Sequence, residues 1–232
     1  MKFDSILYRL FSKVLHVILS LCGAVFPSRG KVLMIHSVGD DYHDYNLPIS
    51  EFETLLRRLS TMNVVRLEEW NNHNGFVCLT FDDVPDSFYY NAYPLLLKYK
   101  LPFTVFISCS LLDTPHFLTT EMLKEIAMCD LCTVGSHGCK HDFYRLFDTK
   151  CAINELLLSK NRLEGIIKKD IELFAFPYGS FYACGLKHIR LVSNYYKFGF
   201  GTVKSPVTRP LFLPKCFLPR INVDEILTSK NN

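Results

Sequence analysis

The chain has 232 residues, 49% of them hydrophobic and 21% charged, which excludes a disordered chain and is enough to bury one sizeable core. Lys and Arg total 26 against 23 acids, a formal charge of +3, and no dense basic run occurs, so nucleic acid is not an expected partner. Nine cysteines, an odd number scattered through apolar runs, read as free thiols in a reducing, cytoplasmic compartment. Cys129 and Cys132 stand three apart, but no second cysteine pair or close histidine cluster completes a zinc ribbon.

At the front, Lys2, Arg9 and Lys13 precede the apolar stretch "VLHVILSLCGAVF". Its far end, "GAVFPSRG", makes a poor cleavage site, and the stretch is short for a spanning helix, which needs about 20 apolar residues. Residues 1–30 are expected to form a helical arm. It can pack on the domain, lie on a membrane surface or act as an uncleaved anchor, and the first two together are favoured.

From residue 31 onward strands and helices alternate. "KVLMIH" reads as a buried strand ending at His36, and "ISEFETLLRRLS" as a helix with Ser50 and Glu53 spaced as a capping box. The apolar run from Phe76 to Phe81 ends in two adjacent acids, Asp82 and Asp83. Helix "YYNAYPLLLKYK", strand "PFTVFIS", helix "TTEMLKEIAM" and the short strand "LCTVGSH" come next. A long helix over roughly residues 147–167 precedes strand "IELFAFPYG", and the end holds helix "CGLKHIRLVSNYY" and strands "FGFGTV" and "FLPRINV". Repeated strand–helix units predict an α/β fold, either an open doubly wound sheet or a closed barrel, with sites at the carboxyl ends of strands.

The polar residues at those ends carry the chemistry. Adjacent carboxylates at a buried strand end repel unless a cation or proton intervenes, so one can bind a metal while its neighbour acts as a base. Capping of the helix that begins near Asp86 is the plainer alternative. His137 and His141 are four apart, which on a helical turn puts both rings on one side. Two imidazoles and a carboxylate make a three-ligand site with room for water, the pattern of catalytic zinc. In "FAFPYGSF", Pro177 to Gly179 form a tight turn in which glycine permits close approach of a ligand.

"LTFDDV", "SHGCKH" and "FAFPYGS", in this order, resemble the polysaccharide deacetylase family, the NodB-homology carbohydrate esterases, over residues 31 to 223. The resemblance implies a distorted (β/α) barrel of about seven parallel strands over 31–232, behind the arm of 1–30. It implies Asp82 as general base, Asp83, His137 and His141 as metal ligands, and Tyr178 as backbone donor to the oxyanion. Pro177 and Gly179 are then expected beside the substrate. Three departures stand out. Gly138 replaces the usual Ser or Thr after the first histidine. Ala175 and Phe176 stand where an Arg often precedes the Pro-Tyr-Gly motif, and Arg220 in "LPRINV" is expected to orient Asp82 instead. The late Leu-x-Ile-x-His motif that supplies the general acid is missing.

"LMIH", residues 33 to 36, reads as that motif moved to the front, as in the branch it resembles that acts on poly-N-acetylglucosamine. In a closed barrel the first and last strands are neighbours, so either end reaches the same place. His36 is the expected acid and His188 the weaker candidate. The expected activity is metal-dependent removal of N-acetyl groups from a surface glycan, with zinc, or else Co2+, Ni2+, Fe2+ or Mn2+. The expected partners are a carbohydrate substrate and, through the arm, a membrane. A non-catalytic sugar-binding scaffold, or a hydrolase of a non-sugar amide or O-acetyl ester, are the alternatives.

Overall fold

The structure, a computed structural model, describes residues 2–39 and 45–223; residues 224–232, the end of the domain expected over 31–232, lie outside it. In chain order, α1 (Lys2–Val25) leads into β1 (Ser28–Ile35), the short strands β2 (Ser37–Val38) and β3 (Asn46–Leu47), and α2 (Ile49–Leu59). A 3-10 turn over Leu67–Asn72 precedes β4 (Phe76–Asp82). Then come α3 (Tyr93–Tyr99), β5 (Phe103–Ile107), α4 (Thr120–Met128), β6 (Cys132–Ser136), α5 (Thr149–Ile167) and β7 (Leu173–Ala175). The last part holds α6 (Phe181–Cys184), α7 (Leu186–Val192), β8 (Phe198–Phe200), β9 (Val207–Thr208) and β10 (Ile221–Asn222).

Seven strands lie in the order β10-β1-β4-β5-β6-β7-β8, every neighbouring pair parallel, and β9 adds antiparallel to β1. The sheet curls until its edges meet. Phe200 at the end of β8 pairs with Leu218, just ahead of β10, through Leu218 N to Gly199 O (2.7 Å) and Gly201 N to Leu218 O (2.9 Å). A single bridge and not a ladder closes this seam, so the barrel is distorted.

Alternation along the strands divides the core in two. Leu33, Leu79, Phe81, Val105, Ile107 and Phe174 face the helices, where Phe52, Leu56, Leu96 and Leu156 cover them. Val32, Cys78, Phe106, Ala175 and Phe200 face the barrel interior, and Trp70 of the 3-10 turn plugs its amino-terminal end against Phe76 and Phe198. Both strand faces are buried, which is why the strands read as continuous apolar runs.

The helices differ from expectation in two details. The Ser50–Glu53 capping box does not form: Pro48 takes the N-cap position of α2, and Glu53 accepts from Lys98 Nζ (2.7 Å) and Tyr99 Oη (3.0 Å). An ion pair to the neighbouring helix outcompetes the local cap. The expected helix over residues 184–196 is split, with α6 and α7 separated at Gly185, whose φ of 73° breaks the helical path. Elsewhere the caps are as sequence chemistry favours, with Thr119 accepting from Met122 N and Asp148 from Cys151 N.

Phe81 is fully buried and its ring meets Phe52, Phe88 and Phe103 at centroid separations of 6.0, 4.8 and 6.5 Å. Phe81→Ala is therefore expected to cost about 3–5 kcal/mol, read as a lowered urea midpoint at unchanged slope.

Candidate active site

β4 delivers Asp82 as its last residue, and in a regular strand Asp83 would then point to the opposite face. Asp83 instead has φ 59°, and the adjoining Val84 φ 49°, so the chain turns left-handed at the strand end. Both carboxylates consequently line one cavity. The helical turn that follows opens at Pro85, whose carbonyl accepts from Phe88 N (3.0 Å), so neither acid stands at its N-cap.

Asp82 lies inside the barrel mouth with both oxygens held by Arg220, Nη1 to Oδ1 and Nη2 to Oδ2, each at 2.6 Å. Arg220 is itself buried; Nε donates to Gly201 O (3.0 Å), Nη1 reaches Thr80 Oγ1 (3.3 Å), and its guanidinium lies 5.4 Å from the Phe106 ring centre. Burial acts to raise the Asp82 pKa, but the Arg220 charge, with His137 and the Arg220 hydrogen bond, outweighs it and holds the carboxyl below its usual value.

The two histidines converge by a loop, not by the helical turn that their spacing predicts. His137 directly follows β6, tied by its N–H to Ile107 O (2.8 Å), and the chain then runs through Gly138 (φ 81°) to His141 (φ 54°). His137 Nδ1 donates to Ala175 O (2.8 Å), since a carbonyl only accepts, and so Nε2 carries the lone pair that faces the acids. Asp83 Oδ1 lies 3.0 Å from His141 Nε2 and 3.6 Å from His137 Nε2, and Asp82 Oδ2 lies 4.0 Å from the latter.

Three donor atoms of Asp83, His137 and His141 thus lie within 4.8 Å of one another. Asp83 Oδ1 is buried and makes no well-formed hydrogen bond among the described residues. That donor set, one carboxylate and two imidazoles with a buried carboxylate oxygen left over, fits a divalent metal. Burial acts to raise the Asp83 pKa, but its contact with His141 and the histidine charges drive it well down. Burial lowers the His137 pKa, whereas for His141 the contact with Asp83 outweighs burial and the net shift is upward.

The loop's support comes largely from residues that the motifs do not mark. Glu155, buried on α5, accepts from Cys139 N and Lys140 N at 3.2 Å each, midway between the histidines. Ser136 Oγ accepts from Gly138 N (3.1 Å) and is bonded to Ser159 Oγ (2.9 Å), which in turn meets Tyr196 Oη (3.2 Å). A hydroxyl two residues upstream thus serves the histidine loop where position 138 offers none, and a Cβ at 138 would sit 3.2 Å from Tyr144 Oη. The available signal was a polar residue on a buried helical stripe, since Glu155 and Ser159 share one with Ala152, Leu156 and Leu163.

The remaining expected residues divide. His36, just past β1, lines the cavity; its ring stacks on Tyr45 at 4.9 Å, and its buried Nδ1 has no hydrogen-bond partner among the described residues. Tyr178 also lines it, at φ 59°, its ring packed on His141 (4.8 Å) and Phe143 (4.3 Å). Pro177 and Gly179 are not among the lining residues. A side chain at Gly179 would collide with Thr202 at 2.3 Å, so that glycine serves the packing of the turn. His188, on the buried face of α7, donates through Nδ1 to Cys184 O (3.2 Å) and is not among the residues that line the cavity. The arm, unexpectedly, lines the cavity through His16, Val17, Ser20 and Leu21.

A curled parallel barrel with an Asp-His-His cluster beside a second, clamped carboxylate defines the class. The polysaccharide deacetylase family profile matches residues 71–191, just over half of the chain, and the chain belongs to that family. It is 24% identical over 165 residues to YxkH of Bacillus subtilis, covering 67% of this chain and 58% of that one. It is 27% identical over 196 residues to the poly-beta-1,6-N-acetyl-D-glucosamine N-deacetylase of Staphylococcus aureus, covering 74% and 66%. The chain therefore spans somewhat under two thirds of either relative's length. Streptococcus pyogenes deacetylase PplD, solved in complex with acetate, shares the fold at 21% identity with a TM-score of 0.77, covering 88% of this chain and 98% of that one.

Loss of the Glu155 carboxylate frees the loop that carries both histidines. Glu155→Ala is expected to weaken zinc binding about 10- to 100-fold in calorimetric titration. In the wild type, zinc must displace a proton from His141, so its affinity should fall as pH is lowered through that raised pKa.

Proposed function

We propose that the chain is a metal-dependent hydrolase that removes N-acetyl groups from an N-acetylhexosamine glycan during surface-polysaccharide synthesis or modification, and that zinc is its metal. The observation that carries this reading is the cluster of Asp83, His137 and His141 with Asp82 4.0 Å from His137, in one cavity of about 600 Å³. The name of the S. aureus relative supports the amide of an amino sugar as the bond cleaved. Asp83, His137 and His141 would hold the ion, which when bound lowers the pKa of water and polarises the acetyl carbonyl.

The rest falls to the chain's own groups. Asp82 takes the proton of the attacking water; the Arg220 clamp occupies one lone pair on each oxygen and leaves another free, so the carboxylate is fixed in direction yet still able to accept. The Tyr178 N–H, on a left-handed turn facing the cavity, donates to the oxyanion, a contact worth about 3 kcal/mol. His36, as imidazolium, gives its proton to the leaving amine, and the proton held by Asp82 then returns through solvent to His36, which restores both groups for the next turnover. Acetate and a free amino sugar result.

Zinc titration and acetate release from N-acetylglucosamine oligomers test this together. His141→Ala should lose the site, while Asp82→Asn should keep zinc within a few-fold and lose turnover by about 10²–10⁴. Equal turnover in wild type and Asp82→Asn would sink the assignment.

We also place the reaction in a reducing, cytoplasmic compartment. All nine cysteines are free, with Cys78, Cys109, Cys132, Cys139, Cys184 and Cys216 buried in apolar surroundings. Burial pushes the Cys132 and Cys78 thiols far above their usual range, which makes them inert. Alkylation in denaturant at the moment of extraction from cells, with no reductant, should block every cysteine; paired cysteines would overturn the placement.

A further inference from the structure

α1 has three distinct sides. One is docked: Tyr8 Oη donates to Phe181 O (3.1 Å), Ser12 is buried, and Leu15 and Leu19 pack on the helix-side core. Gly23 completes that side, and a Cβ there would lie 1.9 Å from Ser205 Oγ. Residues 8, 12, 15, 19 and 23 follow the helical repeat, so the arm is fitted to the barrel along its length. Arg145 stacks over both Tyr8 (5.7 Å) and Tyr182 (4.3 Å) at the near end. A second side looks into the catalytic cavity through His16, Val17, Ser20 and Leu21, and Ser20 Oγ is buried without a hydrogen-bond partner among the described residues.

The third side is apolar and faces outward. Leu7, Leu10, Val14, Ile18, Leu21 and Val25 recur every three or four residues, and each is half or more exposed. Leu21 of this stripe and the exposed Val17 beside it also line the cavity wall, so the stripe runs up to the rim of the active site. From Ile6 to Val25 there is no acid, while Arg9 and Lys13 flank the stripe.

From this arrangement we infer that α1 seats the barrel on an anionic lipid bilayer and that the cavity opens there, so the N-acetyl sugar it takes is carried by an amphiphile anchored in that bilayer. An amphipathic helix with a basic, acid-free margin is the form that binds anionic interfaces. A protein partner or second copy seated along the stripe would cover Val17 and Leu21 and shut the rim. A fluid bilayer leaves it open to a molecule diffusing within the membrane. Ile6–Val25 is long and apolar enough to cross a membrane by length and composition, but Tyr8, Ser12, Leu15, Leu19 and Gly23 hold α1 against the barrel, and on that docking the helix lies in the interface. The substrate half of this inference rests on the deacetylase reading above; the surface half does not.

The full chain, loaded with zinc, would be floated with phosphatidylcholine vesicles with and without phosphatidylglycerol. It would then be assayed on octadecyl N-acetyl-β-glucosaminide in those vesicles and on soluble chitotetraose. Binding only to the anionic vesicles is expected, with higher kcat/KM on the vesicle glycolipid. Leu10→Glu and Ile18→Glu, outward residues outside the cavity, should cut vesicle binding by about tenfold or more while soluble turnover and zinc affinity stay unchanged. A dimer in solution that ignores vesicles, or variants that bind them as well as wild type, overturns the docking surface. Vesicle binding without preference for the glycolipid overturns the substrate. Turnover of neither sugar by zinc-loaded protein would strike the deacetylase reading instead, and vesicle binding would still decide the surface.

Discussion

An ionised carboxylate inside a barrel is the costliest group in the structure to bury, and its pairing with Arg220 makes the burial tolerable. The pair is bidentate and charge-assisted, which fixes the plane of Asp82 as well as its charge. Arg220 also bonds the Gly201 carbonyl beside β8 and the Thr80 hydroxyl on β4, above the ring of Phe106. One side chain therefore connects both edges of the curled sheet to the strand that carries the acids. Where the backbone seam is a single bridge at Phe200 and Leu218, this side-chain link supplies what a regular ladder would have provided.

Around that fixed point the site is assembled on unfavourable backbone. Asp83, Val84, His141 and Tyr178 all have positive φ, and such conformations cost about 1–3 kcal/mol each unless the surroundings enforce them. The enforcement is visible. Glu155 grips two amides of the histidine loop, and Ser136, Ser159 and Tyr196 form a buried chain beneath it. Thr202 N bonds to Gly179 O at 2.9 Å and braces the Pro177–Gly179 turn. Rigid strand ends with strained exits are what let four side chains from the ends of two strands meet within a few ångströms.

The sequence conveyed periodicity well and dihedral reversals badly. Apolar runs bounded by turns marked the seven parallel strands, because burial on both faces leaves little else a strand can be made of. The three residues that could hold a metal, Asp83, His137 and His141, were legible from their types and order. Their geometry was not: the spacing of His137 and His141 fits a helical turn, and only the folded chain shows a loop with a left-handed residue at its end. Ser50 and Glu53 satisfied a local capping rule and lost to Lys98 and Tyr99, partners more than forty residues away that no local pattern reveals. Glu155 and the cavity-facing side of α1 were missed for a related reason. Each acts through a neighbour brought up by tertiary packing, and a lone polar residue on a helical stripe says only that something must satisfy it. Gly138 departs from the family's usual residue, yet Ser136 places a hydroxyl within reach of the same loop.

Asp82 and Arg220 are 138 positions apart in the chain. A ribosome releases the acid long before its counter-charge, and among the described residues none nearer in the chain forms a comparable bidentate pair with it. Until residue 220 emerges, the strand carrying Asp82 has every reason to keep that end in water, with the sheet uncurled. The seam, the clamp and the pocket must then arrive together, late and cooperatively, as high contact order would have it. A growing chain of this kind is thus without its working centre until the strand behind Arg220 has been made, and gains it in one act of closure.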